Sequence, residues 1–138
     1  GPVAIVDPQA QAANVDDDDP LVLYAGEGRK FESSLYAGGS LMLGWVQDAY
    51  AEIPFYGTGA KLVTDKRTPR GKGAVYVDGV YKATIDFYNP TIVYKQQVFD
   101  TGPLPAGLHT IRIVAVWDKN GSATAYYVPF DELQVTAP

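Results

Sequence analysis

Two tryptophans and a set of polar side chains are the residues of this sequence that could recognise a ligand. Trp45 is followed by Asp48 and Tyr50, and Trp117 is followed by Asn120 and Tyr126. A flat aromatic ring can cover the C–H face of a pyranose, while amide, carboxylate and guanidinium groups hydrogen-bond to its hydroxyls. The pattern therefore indicates saccharide recognition. The candidate contacts are Trp45, Asp48, Tyr50, Arg67, Arg70, Tyr88, Asn89, Trp117, Asn120 and Tyr126.

The same residues also fit a structural role. Each tryptophan continues the two-residue alternation of the apolar residues before it, so each indole could cap the core. Tyr88 and Tyr126 fall at strand ends, where a tyrosine can pack over the rim of a sheet. Asn120-Gly121 is a favourable turn pair in its own right. The residue types and their spacing fit both a ligand-binding role and a structural one.

Basic residues are concentrated in one short segment. Five of the eleven lie within residues 61–72, together with one acidic residue, Asp65. Arg67 or Arg70 could form paired hydrogen bonds to a carboxylate or phosphate of an anionic glycan. A solvated loop explains the same cluster. The basic residues are Lys61, Lys66, Arg67, Arg70 and Lys72.

Composition excludes several classes of site and partner. The chain has no cysteine, and hence no disulfide, thiolate metal site or cysteine nucleophile. Its net charge of -5 disfavours nonspecific attraction to nucleic acid. No apolar run approaches the length of a membrane span. We therefore expect neither a nucleic-acid partner nor insertion into a membrane.

The sequence offers little for catalysis. Its one histidine, His109, opens a predicted strand, and no nucleophile-elbow serine motif accompanies it. Aspartates at positions 48, 65, 86 and 118 could pair for glycoside cleavage, but such a pair needs a defined separation and a raised pKa that a sequence does not reveal. We predict that the chain is not an enzyme and requires no cofactor.

The elements that must position these residues are short strands. Segments rich in β-branched and aromatic residues are bounded by Gly, Pro, Asn and Asp, and Asp78-Gly79 supplies a two-residue hairpin turn. This pattern predicts an all-β, antiparallel β-sandwich of jelly-roll type, with an immunoglobulin-like sandwich as the alternative. The predicted strands are residues 21–25, 31–36, 40–46, 50–56, 60–64, 74–78, 80–87, 94–99, 109–117 and 125–135.

One domain is expected over residues 16–138, because a chain of 138 residues can bury a single continuous core. Residues 1–15 have no sustained period and are predicted to be a linker or lead-in segment. Gly1-Pro2 is typical of a cloning scar, so we expect native neighbours to be missing. Counting strand reversals from the Asp78-Gly79 turn places both tryptophans and the basic segment at the opposite end of the sandwich.

Five further motifs carry a resemblance to a known family. They are Phe55-Tyr56-Gly57-Thr58-Gly59, Gly73-Ala74-Val75-Tyr76-Val77-Asp78-Gly79, Ile85-Asp86-Phe87-Tyr88, Gln97-Val98-Phe99 and Gly107-Leu108-His109-Thr110-Ile111. In order and spacing the chain resembles noncatalytic carbohydrate-binding modules with a galactose-binding-like jelly roll, over about residues 16–135. The resemblance implies glycan binding. Where such modules often carry an aromatic residue soon after the first strand, this chain has Gly26-Glu27-Gly28.

The acidic run at residues 16–19 has two interpretations. Related jelly rolls often hold a structural calcium ion near their first and last strands, which implies a site formed from Asp18, Asp19, Asp131 and Glu132. A solvated acidic lead-in is the simpler explanation of the run, because its spacing lacks the alternation and central glycine of a helix-flanked calcium loop. A structural calcium ion is thus a hypothesis to be examined against the fold.

Together these inferences predict a glycan-binding module. We expect it to attach a larger secreted protein, through further domains, to a polysaccharide or cell-surface glycan, at an extracellular or cell-surface location. The alternative is a structural or host-adsorption domain of a phage tail, capsid or surface layer, located on a virion. Oligomeric state separates the two hypotheses.

Overall fold

Twelve β-strands and one 3-10 turn, Ala37–Gly39, make up the regular structure of residues 14–138, the part of the chain that the computed structural model describes. None of its helical segments has the length and apolarity needed to cross a membrane. The predicted all-β class is confirmed. The strands are β1 Val15–Asp16, β2 Leu23–Ala25, β3 Gly28–Glu32, β4 Ser40–Gly44, β5 Tyr50–Gly57, β6 Gly59–Lys66, β7 Lys72–Val77, β8 Val80–Asp86, β9 Val93–Asp100, β10 Gly107–Ala115, β11 Val128–Phe130 and β12 Glu132–Thr136.

The strands form three antiparallel sheets. The five-stranded sheet has the order β2-β5-β10-β7-β8, the four-stranded sheet β1-β12-β6-β9, and the three-stranded sheet β11-β4-β3. The first two face each other, because residues of β5, β7 and β10 share one core with residues of β1, β6 and β12. This arrangement is consistent with the predicted jelly-roll sandwich.

The core follows the alternation of the strands. Ile53, Phe55 and Val75 are almost fully buried, as are Ile111 and Ile113, and alternating residues of the same strands face outward. Two residues predicted for the core in β8, Ala83 and Ile85, are only partly buried. A second cluster of Tyr36, Leu41 and Leu43 packs against Tyr94 and Tyr127.

Three predicted segments differ from the observed strands by more than a shift of two residues at an end. The segment predicted at 31–36 begins earlier, as β3, and ends at Glu32. The segment predicted at 125–135 is broken at Asp131, whose carbonyl accepts a hydrogen bond from the Asp17 N–H and whose side chain accepts one from the Ala37 N–H. Val15, predicted to be lead-in, is buried beside Leu133 as part of β1. Local pattern does not reveal such pairing between chain ends.

The two ends of the sandwich are defined by β10 and its neighbours. Gly107 lies beside Gly57 at the end with the Asp78–Gly79 turn, which we name the bottom end, and Ala115 lies beside Gly73 at the other, the top end. Both turn residues have positive φ, 50° and 79°, as a two-residue hairpin requires. The predicted assignment is confirmed: residues 45–49, 67–71, 87–92 and 116–127 gather at the top end.

The described chain begins and ends close together. The side chain of Asn14 accepts a hydrogen bond from the Val135 N–H at 3.0 Å. Thr136 pairs with Gly59, at the bottom end. The predicted linker over residues 1–13, with Gly1-Pro2, lies outside the described residues.

His109 has a structural position at the bottom end. Its Nδ1 lies 2.7 Å from Asp78 Oδ2, and its Nε2 lies 2.7 Å from the Pro105 carbonyl oxygen. Both partners are acceptors, so both ring nitrogens donate when the imidazole is protonated. The Pro105 carbonyl and the Asp78 carboxylate accordingly raise the pKa of His109. Partial burial acts to raise the pKa of Asp78, but hydrogen bonds from His109 and the Thr110 N–H lower it overall.

A His109→Gln substitution is therefore expected to make stability less dependent on pH. The stabilisation from protonated His109 is fully present below its unfolded-state pKa of about 6.5 and is lost as the pH rises through the higher folded-state value. The contribution of Asp78 is present above about pH 4 and is lost as the pH falls through its lowered value. Thermal unfolding followed by circular dichroism should show the largest difference from the parent protein between these limits.

An Asp78→Asn variant provides a matched control, because Asn-Gly forms the same hairpin turn. It should reproduce the flatter pH profile. A difference in Tm between parent and His109→Gln that stays constant from about pH 6 to 9 would contradict this assignment.

Candidate functional site

Two backbone outliers lie next to each other at the top end. Asp48 has φ 66° and Trp117 has φ 60°, in the left-handed region that bulky residues rarely adopt. Their loops are joined by hydrogen bonds, from the Asp48 N–H to the Ala115 carbonyl at 2.9 Å and from the Ala115 N–H to the Ala49 carbonyl at 2.8 Å. Such a conformation costs on the order of 1–3 kcal/mol per residue and is concentrated at functional sites.

Trp117 forms an aromatic stack that stays partly exposed. Its ring centroid lies 4.9 Å from that of Tyr126, with 16° between the ring planes. The Lys119 ammonium lies 5.5 Å from the centre of the Tyr126 ring. Trp117 is only partly buried, so it does not simply cap the core. An aromatic surface with an adjacent cation is able to hold a sugar ring.

Trp45 belongs to a different aromatic pair. Its ring lies 6.2 Å from that of Tyr127, tilted by 59°, and Tyr127 packs against the second apolar cluster. The consecutive residues Tyr126 and Tyr127 thus contact different tryptophans. Both indoles lie at the top end, as predicted, but in separate pairs.

Asp86 organises the polar groups beside the Trp117 stack. Its carboxylate accepts a hydrogen bond from the Tyr88 N–H at 2.9 Å and one from the Asn120 side chain at 3.4 Å. Asn120 also accepts a hydrogen bond from the Ser122 N–H, which fixes its own turn. Asn89 donates to the carbonyl of Thr91 at 2.6 Å. The structure thus gives both predicted asparagines a loop-stabilising role.

The predicted basic cluster is dispersed. Lys61 lies beside Gln134, away from the top end. Lys72 pairs with Asp118 at 3.4 Å. Arg67 is partly buried, and its Nε has no hydrogen-bond partner within residues 14–138. Only Lys66 and Arg67 of the predicted cluster therefore remain as cations for an anionic ligand.

The structure corrects the expectation that Arg70 contacts a ligand. Its Nε and Nη2 donate to the two carboxylate oxygens of Asp65, at 3.0 and 2.8 Å, and the Arg70 and Asp65 side chains are 5% and 0% exposed. Tyr36 also donates to Asp65 Oδ2, at 3.2 Å. The guanidinium is committed to this internal ion pair, whose carboxylate also contacts Tyr36 of the second apolar cluster.

Tyr50 also differs from its predicted place. It lies on the outer side of β5, where the Arg112 guanidinium is 4.2 Å from the centre of its ring. Asp86 and Lys119 belong to the top-end group but were not among the predicted ligand contacts. Their positions at the end of β8 and shortly after Trp117 are the signal that could have identified them.

An apolar cavity of about 140 Å³ lies behind the turn between β2 and β3. Tyr24, Met42 and Phe130 contribute to its lining. A Cβ on Gly28 would lie 2.5 Å from the Leu43 carbonyl oxygen, so the glycine lets the turn pack closely. An engineered apolar cavity of about 150 Å³ binds benzene. Gly26-Glu27-Gly28, which stands where related modules often carry an aromatic residue, therefore lines a cavity about as large as an aromatic ring.

A group of carboxylates lies where β1 meets the 3-10 turn and the start of β12. Oxygens of Asp16, Asp17 and Asp18 lie within 4.8 Å of one another. Asp17 Oδ1 accepts a hydrogen bond from the Ser40 hydroxyl at 2.7 Å. Three buried oxygens have no partner within residues 14–138: Asp16 Oδ1, Asp17 Oδ2 and Asp131 Oδ1.

The electrostatics of this group favour a bound cation. Burial raises the pKa of Asp16 to about 8 and that of Asp131 to about 7, and it also raises the pKa of Asp17. Gly38 has φ 64°, and a Cβ there would lie 2.6 Å from Asp16 Oδ1, so only glycine leaves the space beside these oxygens open. Several carboxylates collected in one partly buried place fit a calcium ion, which prefers oxygen ligands.

The composition of the group differs from the prediction. Asp18 and Asp131 lie in or beside it, but Asp19 accepts a hydrogen bond from the Leu21 N–H, and Glu132 accepts one from Gln134 at the exposed surface. Asp16 and Asp17 belong to the group in place of the predicted Asp19 and Glu132. The pairing of β1 with β12, which the sequence pattern did not indicate, brings them in.

Comparison with known proteins agrees with the fold. No family model matches the sequence. A curated relative, "A type blood N-acetyl-alpha-D-galactosamine deacetylase" from Flavonifractor plautii, is 29% identical over 111 residues, which are 80% of this chain but 14% of that protein.

Solved structures extend the likeness. The family 35 carbohydrate binding module from Clostridium thermocellum superposes with a TM-score of 0.62 at 20% identity, over 90% of this chain and 98% of the module. A Paenibacillus xanthan lyase superposes at 0.71 and 15% identity, over 91% of this chain and 13% of the lyase. The resemblance to carbohydrate-binding modules is confirmed at the level of the fold.

Proposed function

We propose that this chain, which has the fold of the family 35 carbohydrate binding modules, is a noncatalytic carbohydrate-binding domain. The observation that carries the proposal is Trp117, a partly exposed aromatic residue held in a left-handed backbone conformation at the top end. An indole whose purpose was to cap the core would need neither the strain nor the exposure.

The surroundings of Trp117 supply the polar part of a sugar site. Tyr126 supports one face of the indole, while Lys119 and Asp86 add a cation and a carboxylate nearby. Saccharide hydroxyls both donate and accept hydrogen bonds, so a mixed set of this kind suits them. Arg67 and Lys66 are the cations that could contact a carboxylate or phosphate on the glycan.

Three of the four aspartates considered for cleavage have structural partners, which supports a noncatalytic role. Asp65 is buried in its ion pair, Asp118 pairs with Lys72, and Asp86 accepts hydrogen bonds that hold its own loops. Glycoside cleavage needs two carboxyl groups facing each other across a substrate gap. The arrangement suits recognition of a glycan without bond cleavage.

We also propose that Asp16, Asp17 and Asp131, with Asp18 at the edge, hold a structural calcium ion. The ion would neutralise their charge and tie β1 to the 3-10 turn and β12. The three unpartnered buried oxygens and the space kept by Gly38 support this proposal. It assigns calcium a role in stability, apart from the sugar site.

The setting of the domain is the third part of the proposal. The chain spans 14% of its curated relative and 13% of the xanthan lyase, so in those proteins the matching segment is one part of a much larger molecule. We infer that this chain likewise attaches a larger extracellular or cell-surface protein to a polysaccharide. Weak single sites of this kind gain strength through tethering and repetition.

A Trp117→Ala substitution tests the sugar site. We expect the association constant for a bound polysaccharide to fall by about 30-fold or more, as for other aromatic anchors of interfaces. Affinity gel electrophoresis in galactomannan, xylan and xanthan gels would identify a bound polysaccharide, and titration calorimetry would measure the change. Trp45→Ala serves as the matched variant in the second aromatic pair.

Fold retention is checked by the near-ultraviolet dichroism and Tm of each variant. If both tryptophan variants stay folded and keep the full affinity of the parent, the top-end site is wrong. If the parent binds none of the polysaccharides and forms an obligate trimer or hexamer in light scattering, the assembly role is favoured over carbohydrate binding.

A further inference from the structure

The outer face of the five-stranded sheet carries a row of side chains that neither the core nor the top-end site uses. Strand register aligns one residue from each strand across the sheet: Leu23, Glu52, Arg112, Tyr76 and Tyr81. Four inter-strand spacings of about 4.8 Å make the row about 19 Å long. This length can accommodate several sugar units of an extended glycan.

Arg112 lies at the centre of the row. Its guanidinium lies over the Tyr50 ring at 4.2 Å, and its Nη2 lies 3.3 Å from Glu52 Oε2. Within residues 14–138 the guanidinium makes no other hydrogen bond, and its side chain is 40% exposed. An arginine has five N–H donors in a planar fork, so most of them remain available to a ligand.

The aromatic part of the row lies on the other side of Arg112. The rings of Tyr76 and Tyr81 meet edge to face, with centroids 5.7 Å apart. Tyr81 is 54% exposed. Between them and Glu52 runs a groove of about 440 Å³, whose lining also includes Thr110 and Val114.

These outer-face side chains contribute little to the stability of the fold, so stability does not explain their arrangement. An exposed ion pair such as Arg112 with Glu52 typically contributes under about 1 kcal/mol. The solvent face of an antiparallel sheet needs only polar alternation. Four of the ten tyrosines nevertheless lie on this outer face, Tyr50, Tyr56, Tyr76 and Tyr81. A stacked guanidinium, a carboxylate and the phenol ring of Tyr76 in one groove match the donors, acceptors and C–H faces of a saccharide.

We propose that this sheet-face groove is a second saccharide-binding site, separate from the top-end loops, for a stretch of extended polysaccharide lying across the strands. Arg112 donates to sugar hydroxyls, Glu52 accepts from them, and Tyr76 covers a C–H face of a pyranose. The ligand class rests on the proposed function, but every residue that carries the site is different. Two sites on one domain would allow it to bind a polysaccharide at two places.

The test compares Arg112→Ala and Tyr76→Ala with Trp117→Ala in the full chain. Retardation in galactomannan, xylan and xanthan gels would be measured first, followed by titration with whichever polysaccharide retards the parent. We expect Arg112→Ala to lower the affinity for the polymer by at least about tenfold, since a hydrogen bond to a charged group carries that much. Tyr76→Ala should also lower the affinity, because it removes the ring that covers a C–H face of the sugar. Arg112→Lys should also lose most of the affinity contributed by Arg112, because a lysine ammonium cannot form the paired hydrogen bonds of a planar guanidinium.

The control is Arg29→Ala. Arg29 lies 5.3 Å over the ring of Phe31 on the exposed strand β3, so it matches Arg112 in chemistry but lies outside the groove. It should bind as the parent does. Circular dichroism melts verify that all variants stay folded.

The outcomes separate the two proposals. Loss of affinity in Trp117→Ala with unchanged affinity in Arg112→Ala and Tyr76→Ala would overturn the second site and leave the proposed function standing. Loss in the sheet-face variants alone would support the second site and overturn the top-end one. A parent that binds none of the three polysaccharides would count against both.

Discussion

An Arg70→Ala variant is expected to lose about 3–5 kcal/mol of unfolding free energy. The substitution removes the counter-charge of Asp65, a fully buried carboxylate that would keep, among residues 14–138, only the Tyr36 hydroxyl as a donor. Total stabilities of domains are about 5–15 kcal/mol, so the loss would be a large part of the whole. Urea unfolding at equilibrium, followed by tryptophan fluorescence, measures it.

The matched control is Lys72→Ala, which breaks the other cation pair of the same segment. Lys72 and Asp118 are 32% and 67% exposed, so this variant should lose under about 1 kcal/mol. An Arg70→Met, Asp65→Leu double variant should recover much of the loss, because replacing a buried pair by apolar groups is often neutral. Equal stabilities of Arg70→Ala and Lys72→Ala would refute the account of a buried pair.

Removal of calcium is the change with the second largest expected effect. Calcium at about a hundred times its Kd stabilises the folded state by about 2.7 kcal/mol, which corresponds to a Tm shift of roughly 10 °C for a domain of this size. Adding a chelator should therefore lower the Tm by about this amount, and returning calcium should restore it. Magnesium should restore less, since it retains its water shell more strongly.

Asp131→Asn is the variant that locates the ion. Its amide oxygen can still accept the Ala37 N–H, while the charge that would hold calcium is removed. We expect its Tm to be insensitive to both chelator and calcium. Asp118→Asn, a substitution of an exposed carboxylate at the top end, should respond as the parent does. A chelator effect that is equal in Asp131→Asn and in the parent would place the ion elsewhere.

The fold was predictable from local chemistry because alternation decides which side of a strand is buried. Ile53 and Phe55, and Ile111 and Ile113, follow it closely, and Asp78-Gly79 fixed the strand directions from which the top end was found. The short strand β1 was not predictable, since two residues have no period. Its place depends on pairing with β12, over a hundred residues later.

The site was predictable by location more than by contact. Trp117 and Tyr126 lie at the top end as expected, but sequence could not show that Arg70 turns inward, because that depends on the burial of Asp65 beside Tyr36, 29 residues earlier in the chain. Tyr50 was predicted as a ligand contact of the top end although, as the first residue of the predicted strand 50–56, it shares the outward parity of Glu52. Strict use of alternation would have placed it on the sheet face beside Arg112.

The hydrogen bond between Asn14 and Val135 indicates where neighbouring domains would attach. Polypeptide arriving at residue 14 and departing after Thr136 would attach at a single pole, the one opposite the Trp117 stack. A domain joined there would lie at the bottom end of the sandwich, away from the Trp117 stack. The Trp117 indole would then face away from the point of attachment.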